Sequence, residues 1–398
     1  MIIRSLAALL AVSSLSLSSY AGVTTSPTSS KATLETAVTQ DDGKSTLDRI
    51  WDAATLYKSD SGILNQFALT GRIHLQYAHG YSDHGDFTSG FRPDDVTWGD
   101  IEVRRWRVGF KSKWFDNRLT LEGQINITPD LDPFYENIYD LRMIYNLTDH
   151  TKVTFGKTKS DIFSHEFYQS SKEILTVERS LLVNTLTSGQ LTGAVFDGTV
   201  GNWVWALAGF AGDFQPEFSK FDAGALIQAR IGYDFAKATG YDEAGIYFDY
   251  QASTSAENVI SKFPHAFSLH GNLAKGRASI FADVLGGLGR NGQGDVWGIT
   301  VAPAYFIIED KLQAVLRYQF AHGDNDGLRL QSRYERLAPT LIDGGRGTTY
   351  NAVYGGLNWL IYGHKLKLMT GVEYHHMEGG SDGSFDDWTW SAAFRMFF

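Results

Sequence analysis

The sequence predicts an all-β chain: a transmembrane antiparallel β-barrel of about sixteen strands, with a long third external loop folded into the lumen. Three observations carry this. From Gln66 onward, apolar and polar residues alternate with period two in segments of roughly seven to twelve residues. A tilted strand needs about nine to eleven to cross a bilayer, whereas soluble strands average about five to six. The connections between segments are alternately short and long, the outer-membrane pattern. One connection, Ser160 to Gly189, shows no sustained period yet carries Ile162, Phe163, Phe167, Tyr168, Ile174, Leu175 and Val177. That is too apolar for a solvated linker, and loops this long in compact folds are usually functional or disordered. It needs a surface to pack on, and a hole made by the rest of the chain supplies one.

Taken in order, residues 1–21 read as an export signal: Arg4, the apolar stretch Leu6 to Leu17, then Ser19-Tyr20-Ala21 as a small-x-small cleavage site. A membrane anchor fits less well, because the run is short and polar residues follow. Beyond it no run of eighteen apolar residues exists, so no spanning helix is available. Residues 22–46, Thr/Ser-rich with little to bury, read as a disordered periplasmic lead-in. In residues 47–60, Leu47, Ile50, Trp51, Ala54 and Tyr57 recur at spacings of three and four. They predict a short amphipathic helix that docks on the barrel, or a transient helical segment. The barrel occupies 66–398.

Within it, Phe67, Leu69, Ile73, Leu75 and Tyr77 face away from Thr70, Arg72, His74 and Gln76. Tyr139, Leu141, Met143 and Tyr145 face away from Asp140 and Arg142, and Leu312, Leu316, Tyr318 and Phe320 from Gln313, Arg317 and Gln319. Trp203–Phe210 alternates poorly. The segment from Ile101 slips phase, with Ile101 and Val103 odd but Trp106, Val108 and Phe110 even, which a β-bulge near Arg104 would explain. An even strand count leaves both termini on one side. Tyr77, Trp98, Tyr139, Tyr145, Tyr233, Tyr305, Trp359 and Trp388 fall near strand ends, as interfacial girdles require. The last strand alternates to Phe398 and resembles the signal read by the barrel insertion machinery, making that machinery and outer-membrane lipid expected partners.

Composition agrees. Aromatics at 14%, Gly 41 and Pro 8 suit strands with one face to lipid and one to water. Zero cysteines exclude a disulfide framework, a thiol nucleophile and a thiolate metal site. A net charge of −10 argues against a nucleic-acid binder. A cation on the lipid face at the midplane costs roughly 2–4 kcal/mol. Alternation accordingly puts Arg72, Arg105, Arg107, Arg142, Arg230, Arg317, Lys365, Lys367 and Arg395 on the water face. Lys157 and Lys159 share phase with Val153 and Phe155, and reach the lumen only if the strand slips or ends near Gly156. Fewer acids share that face (Glu122, Asp140, Asp234, Asp249, Asp283, Glu373), while others gather in loops, as at Asp83, Asp86, Asp94, Asp95 and Asp382. Such a cationic ring lowers the barrier for anions. Alternatively, the cations simply pair with lumenal acids.

The stretch Val153–Lys159 with its G-x-x-K, then Thr176-Val-Glu-Arg-Ser180, then Gly356-Leu-Asn-Trp359 resemble the phosphate-selective porin O and P family. The resemblance implies a sixteen-stranded homotrimer of the bacterial outer membrane. Its third loop would narrow a channel for anions, phosphate among them, with Lys157, Lys159, Glu178 and Arg179 at or near the constriction. The chain departs from the family pattern at Asp161, where a proline is usual, and at Ser188-Gly189-Gln190, where a basic residue is common. Both departures bear on phosphate as the solute rather than on the porin class. A general or sugar porin is the alternative.

No cofactor or metal is expected. The adjacent His375 and His376 point to opposite strand faces. Gly43-Lys44-Ser45 and Gly156-Lys157-Thr158 lack the upstream glycine of a P-loop. The G-x-S-x-G match at Gly379–Gly383 has no following helix. The competing class, an outer-membrane enzyme such as a phospholipase, needs a nucleophile and base converging near the membrane edge. Only isolated lumenal residues such as His74, Ser268 and His270 offer themselves.

Overall fold

The two-residue rhythm closes on itself. The structure, a computed structural model, describes residues 44–82, 97–159, 161–254, 261–330, 346–379 and 384–398. The export signal, the lead-in up to residue 43, the acids of 83–96 and most of the Gly379–Gly383 match lie outside the described residues. A helix, α1 (Thr46–Asp52), precedes β1 (Thr55–Lys58). The strands that follow are β2 (Leu64–Ser82), β3 (Thr97–Trp114), β4 (Leu119–Ile127), β5 (Tyr135–Thr148) and β6 (Thr151–Lys159). Two short helices, α2 (His165–Tyr168) and α3 (Leu181–Leu186), sit in the long third loop. Then come β7 (Gln190–Val200), β8 (Trp203–Ala211), β9 (Ala225–Asp234), α4 (Ala236–Thr239), β10 (Glu243–Ser253), β11 (His265–Lys275), β12 (Ala278–Leu288), β13 (Val296–Ile308) and β14 (Leu312–Gly323). The two-residue pair β15 (Leu328–Arg329) and β16 (Arg346–Gly347) precedes β17 (Thr349–His364), β18 (Leu366–Glu378) and β19 (Ser384–Phe397). Seventeen strands form one sheet; β1 pairs only with β2, and the remaining sixteen close an antiparallel barrel where β19 meets β2.

The outward face is apolar along every wall: Leu69, Leu141, Met143, Phe155, Leu207, Ile231, Phe248, Leu269, Leu316, Val353 and Val372 are all exposed. An apolar surface this extensive belongs against lipid. The phase slip in β3 is a bulge, since the register with β2 passes from His74↔Arg105 to Leu75↔Val103 and leaves Arg104 unopposed. A second shift, between Gln124↔Asp140 and Ile125↔Ile138, leaves Tyr139 unopposed in β5. Tyr139 consequently turns inward beneath the Arg107 guanidinium, 3.2 Å from its ring centroid, rather than joining the outer girdle. The weak alternation of β8 also has a cause. Its inward Ala206, Ala208 and Phe210 pack against Ile162 of the long loop, so both faces are apolar.

The segment 47–60 is not one helix. The Ser45/Asp48 capping box opens α1, which stops at Asp52, and Thr55–Lys58 instead pair with Gln66–Ala68 at the start of β2. Edge hydrogen bonding outcompetes continued helix there. The two pieces straddle the barrel seam. The Trp51 indole N–H donates to the Phe397 carbonyl at 2.6 Å, its ring lies 5.1 Å from that of Tyr362, and the Tyr362 hydroxyl donates to Asp48. Hydrogen bonds from Tyr362 and then Ser45 pull the Asp48 carboxyl down to about 2. Phe398 exchanges backbone hydrogen bonds with Gly71, and a Cβ on Gly71 would sit 2.3 Å from the Phe398 ring.

Trp51→Phe keeps the ring contact and loses only the bond to Phe397. We expect it to cost about 0.5–1.5 kcal/mol in urea unfolding of the detergent-solubilised barrel. An unchanged midpoint would show that this hydrogen bond contributes nothing to closing the seam.

Candidate permeation path

The third loop fills one side of the barrel. Phe163, Phe167, Leu181, Leu182, Val183 and Leu186 join a core with Phe263, Ala266, Leu285, Ala321, Tyr350 and Met377 from the barrel and its loops. Val177 packs on Met369 and Ala393, and Leu175 beside Ala304, Val315 and Tyr354. Each such side chain gains roughly 1.5–3 kcal/mol over exposure. The loop's backbone is a separate demand, because buried carbonyls and N–H groups need partners.

Lumenal charges meet it. Arg395 donates to the Val177 carbonyl at 2.5 Å, Lys367 to Ile174 at 3.1 Å, and Asn358 to Leu175 at 2.9 Å. Arg317, 1% exposed, reaches the Glu178 carbonyl, the Thr176 hydroxyl and the carboxylates of Glu166 and Glu373. Arg230 holds Asp249 at 2.6 Å and the Asp161 carbonyl at 3.3 Å. In the opposite polarity, Asp249 accepts from Ser164 N–H and Asp283 from His165 N–H. Ser268 donates its hydroxyl to Asp283, and His270 contacts Asp249. These side chains are buried supports beneath the start of α2.

Of the cations expected at the constriction, Lys159 donates to Phe167 and Tyr168 carbonyls and pairs with Asp161 at 3.4 Å. Arg179 donates to the Glu166 and Gln169 carbonyls at 2.8 and 2.9 Å, closing the end of α2. Lys157 does not reach the lumen. Its strand keeps register past Gly156 (φ +124°), so Lys157 stays in phase with the exposed Phe155 and opposite the exposed Leu141. Thr158, its neighbour, accepts from lumenal Arg142. Lys157 is nevertheless 2% exposed, because the loop between β8 and β9 folds over it. Its Nζ donates to Gln215 and Pro216 carbonyls at 2.7 and 2.9 Å. This cover removes the cost of a cation on the outer face. Lys365 is likewise not on the wall: it forms the turn between β17 and β18, with Nζ 5.0 Å from the Tyr362 ring centroid.

The inward cations that stay open lie on β3 and β5. Inward residues of β12–β14 such as Phe281, Leu285, Ala302 and Val315 are sealed under the loop, whereas Lys111, Arg104 and Arg142 retain side-chain exposures of 39, 36 and 23%. Lys111 and Arg142 share Glu122 at 2.6 and 2.8 Å. Arg104 faces Glu178 of the loop at 2.8 Å, and both line a cavity of about 720 Å³ with Gln76, Glu102, Tyr354 and Glu373. Arg72, Arg105 and Arg107 make no carboxylate ion pair among the described residues; Arg72 donates to Ser171 and Arg107 to Asn126. Alternation alone does not assign Arg104 to the water face. The phase slip that hid its face is itself the signal that it turns inward beside Arg105.

Arg317→Met should release the loop: Glu166 and Glu373 are left without their shared cation, a change that costs about 3–5 kcal/mol when a buried pair is broken. The expected readout is a lower unfolding midpoint together with larger, noisier single-channel currents. Quiet currents of native size would show that the loop holds without this anchor.

The comparisons with known proteins fit this geometry. The model of the family described as phosphate-selective porin O and P matches residues 67–270, just over half of the chain. No curated protein matches. Among solved structures, the outer membrane channel DcaP of Acinetobacter baumannii is 16% identical with a TM-score of 0.54, covering 86% of this chain and 99% of its own. Pseudomonas putida OprB is 12% identical, TM-score 0.57, covering 82% and 94%. An anion-selective porin from Comamonas acidovorans is 9% identical, TM-score 0.56, covering 83% and 99%. At these identities the likeness is one of fold. Barrel, inward loop and family match converge: this chain is a porin of the bacterial outer membrane and belongs to the phosphate-selective porin O and P family.

Proposed function

We propose that the chain forms a passive, water-filled channel for small anions, phosphate among them, and that solutes pass between the third loop and the β2–β5 wall. The observation that carries this reading is the set Arg72, Arg105 and Arg107, which lie on that wall without an ion-paired carboxylate among the described residues. Arg72 Nε and Arg107 Nη1 are buried with no hydrogen-bond partner. Guanidinium charge left unpaired beside the path lowers the electrostatic barrier for an anion. Lys159 and Arg179 act mainly as supports for the loop, and Lys157 as a staple for the loop outside it. A homotrimer, and insertion through the strand ending at Phe398, are proposed on the family resemblance.

A weakly selective pore is the second reading, favoured by Glu122 and Glu178, which pair with Lys111, Arg142 and Arg104 along the same wall. Reversal potentials in planar bilayers under a salt gradient separate the two. We expect an anion-favouring potential in the native channel, and a two- to tenfold fall in anion-to-cation permeability for Arg105→Gln/Arg107→Gln, the scale of a charge a few ångströms from a wet path. Phosphate added to chloride should reduce the chloride current. A native channel with no charge preference, unaltered in the double mutant, would favour the second reading; closed insertions accompanied by lipid hydrolysis would favour an enzyme.

A further inference from the structure

Two consecutive arginines share one lumenal level because the β3 bulge removes the alternation that would send one of them to lipid. Arg105 stays opposite His74, and Arg104, unopposed, also turns inward. They are treated differently. Arg104 offers Nε and Nη2 to Glu178 at 2.8 and 3.4 Å, in the fork geometry that suits a carboxylate. Among the described residues Arg105 reaches only the His74 ring, 3.5 Å from Nη1. The nearby Arg395, 1% exposed, is engaged by His74, Gln76 and the Val177 carbonyl. Glu178 is itself fixed: Gln76 donates to it at 2.7 Å, and Arg317 and the Thr176 hydroxyl both bond its carbonyl. The carboxylate keeps 25% of its side-chain surface exposed, on the cavity that Arg104 also lines.

We propose that Glu178 sets the charge selectivity of the channel by cancelling one of the two bulge arginines, so that a passing anion meets Arg105 alone. Glu178 is thus a specificity-determining residue of the loop rather than a further anchor for it. Its backbone carbonyl does the anchoring and its side chain does the tuning. The proposal rests on the permeation path lying along β2–β5, but its test does not require the native channel to prefer anions.

The test is the cycle Glu178→Gln, Arg104→Gln and the double mutant in planar bilayers, where only folded, inserted channels carry current. Glu178→Gln keeps the size of the side chain and its contact with Gln76. It should raise the anion-to-cation permeability ratio about two- to fourfold over the native channel, whatever the native ratio is. Arg104→Gln should lower the ratio by a similar factor, since it leaves Glu178 uncompensated. The double mutant should return to within a factor of about 1.5 of native, because a cancelling pair is neutral when both members are absent. Single-channel conductance should change less than the ratio in all three. An unchanged ratio in Glu178→Gln, or two single shifts that fail to cancel in the double mutant, overturns the proposal; so does a change confined to conductance or noise, the mark of a purely structural acid. A native channel without anion preference that still shows the cancelling cycle would refute the anion-porin reading and leave this one standing.

Discussion

A loop of some thirty residues cannot lie inside a barrel unless its backbone is satisfied there, and that requirement organises the interior. Water is largely excluded from the side where the loop packs, so each buried carbonyl needs a donor from the wall. Arg395, Arg317, Lys367 and Asn358 provide them, while Asp249 and Asp283 take the N–H groups at the start of α2. Hydrogen bonds to charged groups are worth about 1.5–3 kcal/mol each, roughly twice a neutral one. The apolar side chains of the loop supply attraction, and these polar ties fix where each turn of it sits.

This use of charge divides the lumen into two halves with different jobs. Over β9–β14 and β17–β19 the inward residues are buried and spent on the loop. Over β3 and β5, Arg104, Lys111 and Arg142 keep solvent contact, while Arg72 and Arg107 beside them are buried without an ion-paired acid among the described residues. A cationic lining inferred from strand phase alone treats all of these residues as equivalent. The structure separates them by what each already holds: Arg317 has two carboxylates and a carbonyl, whereas Arg105 has one neighbouring imidazole. In the function proposed above, selectivity is governed by the second kind.

The barrel was legible because the period of two, the segment lengths and the alternating loop lengths all state the same constraint, that of a strand crossing lipid beside water. The apolar third loop was legible for the complementary reason, being too greasy to remain outside. The individual sites were less so. Lys157 and Lys159 are two residues apart in one phase, yet one is capped outside by Gln215 and Pro216 and the other, at the last residue of the strand, turns in to the loop. That difference depends on a loop sixty residues away, which no local pattern encodes. Tyr139 left the girdle because of a bulge that alternation did not reveal, while the bulge at Arg104 was announced by a phase slip between Val103 and Trp106. The N-terminal segment failed in another way. Its spacings fit a helix through Tyr57, but the open edge at the start of β2 offers Thr55–Lys58 better hydrogen bonding than a frayed last turn does.

The bulge also explains why a charged pair is placed where it is. Regular pleating alternates sides, so two adjacent inward cations require a break in register, and a break costs ladder hydrogen bonds. β3 accepts that loss at Arg104 and nowhere else along its pairing with β2 above the turn at Leu64. Two like charges side by side would repel, which makes a carboxylate from the loop the natural completion of the site. Because Glu178 arrives on an element held by Arg317 and Arg395, the charge balance of the wall depends on the loop being seated. Loosening the loop would therefore change which ions pass as well as how fast they pass, a coupling that rigid pore-lining arginines alone would not produce.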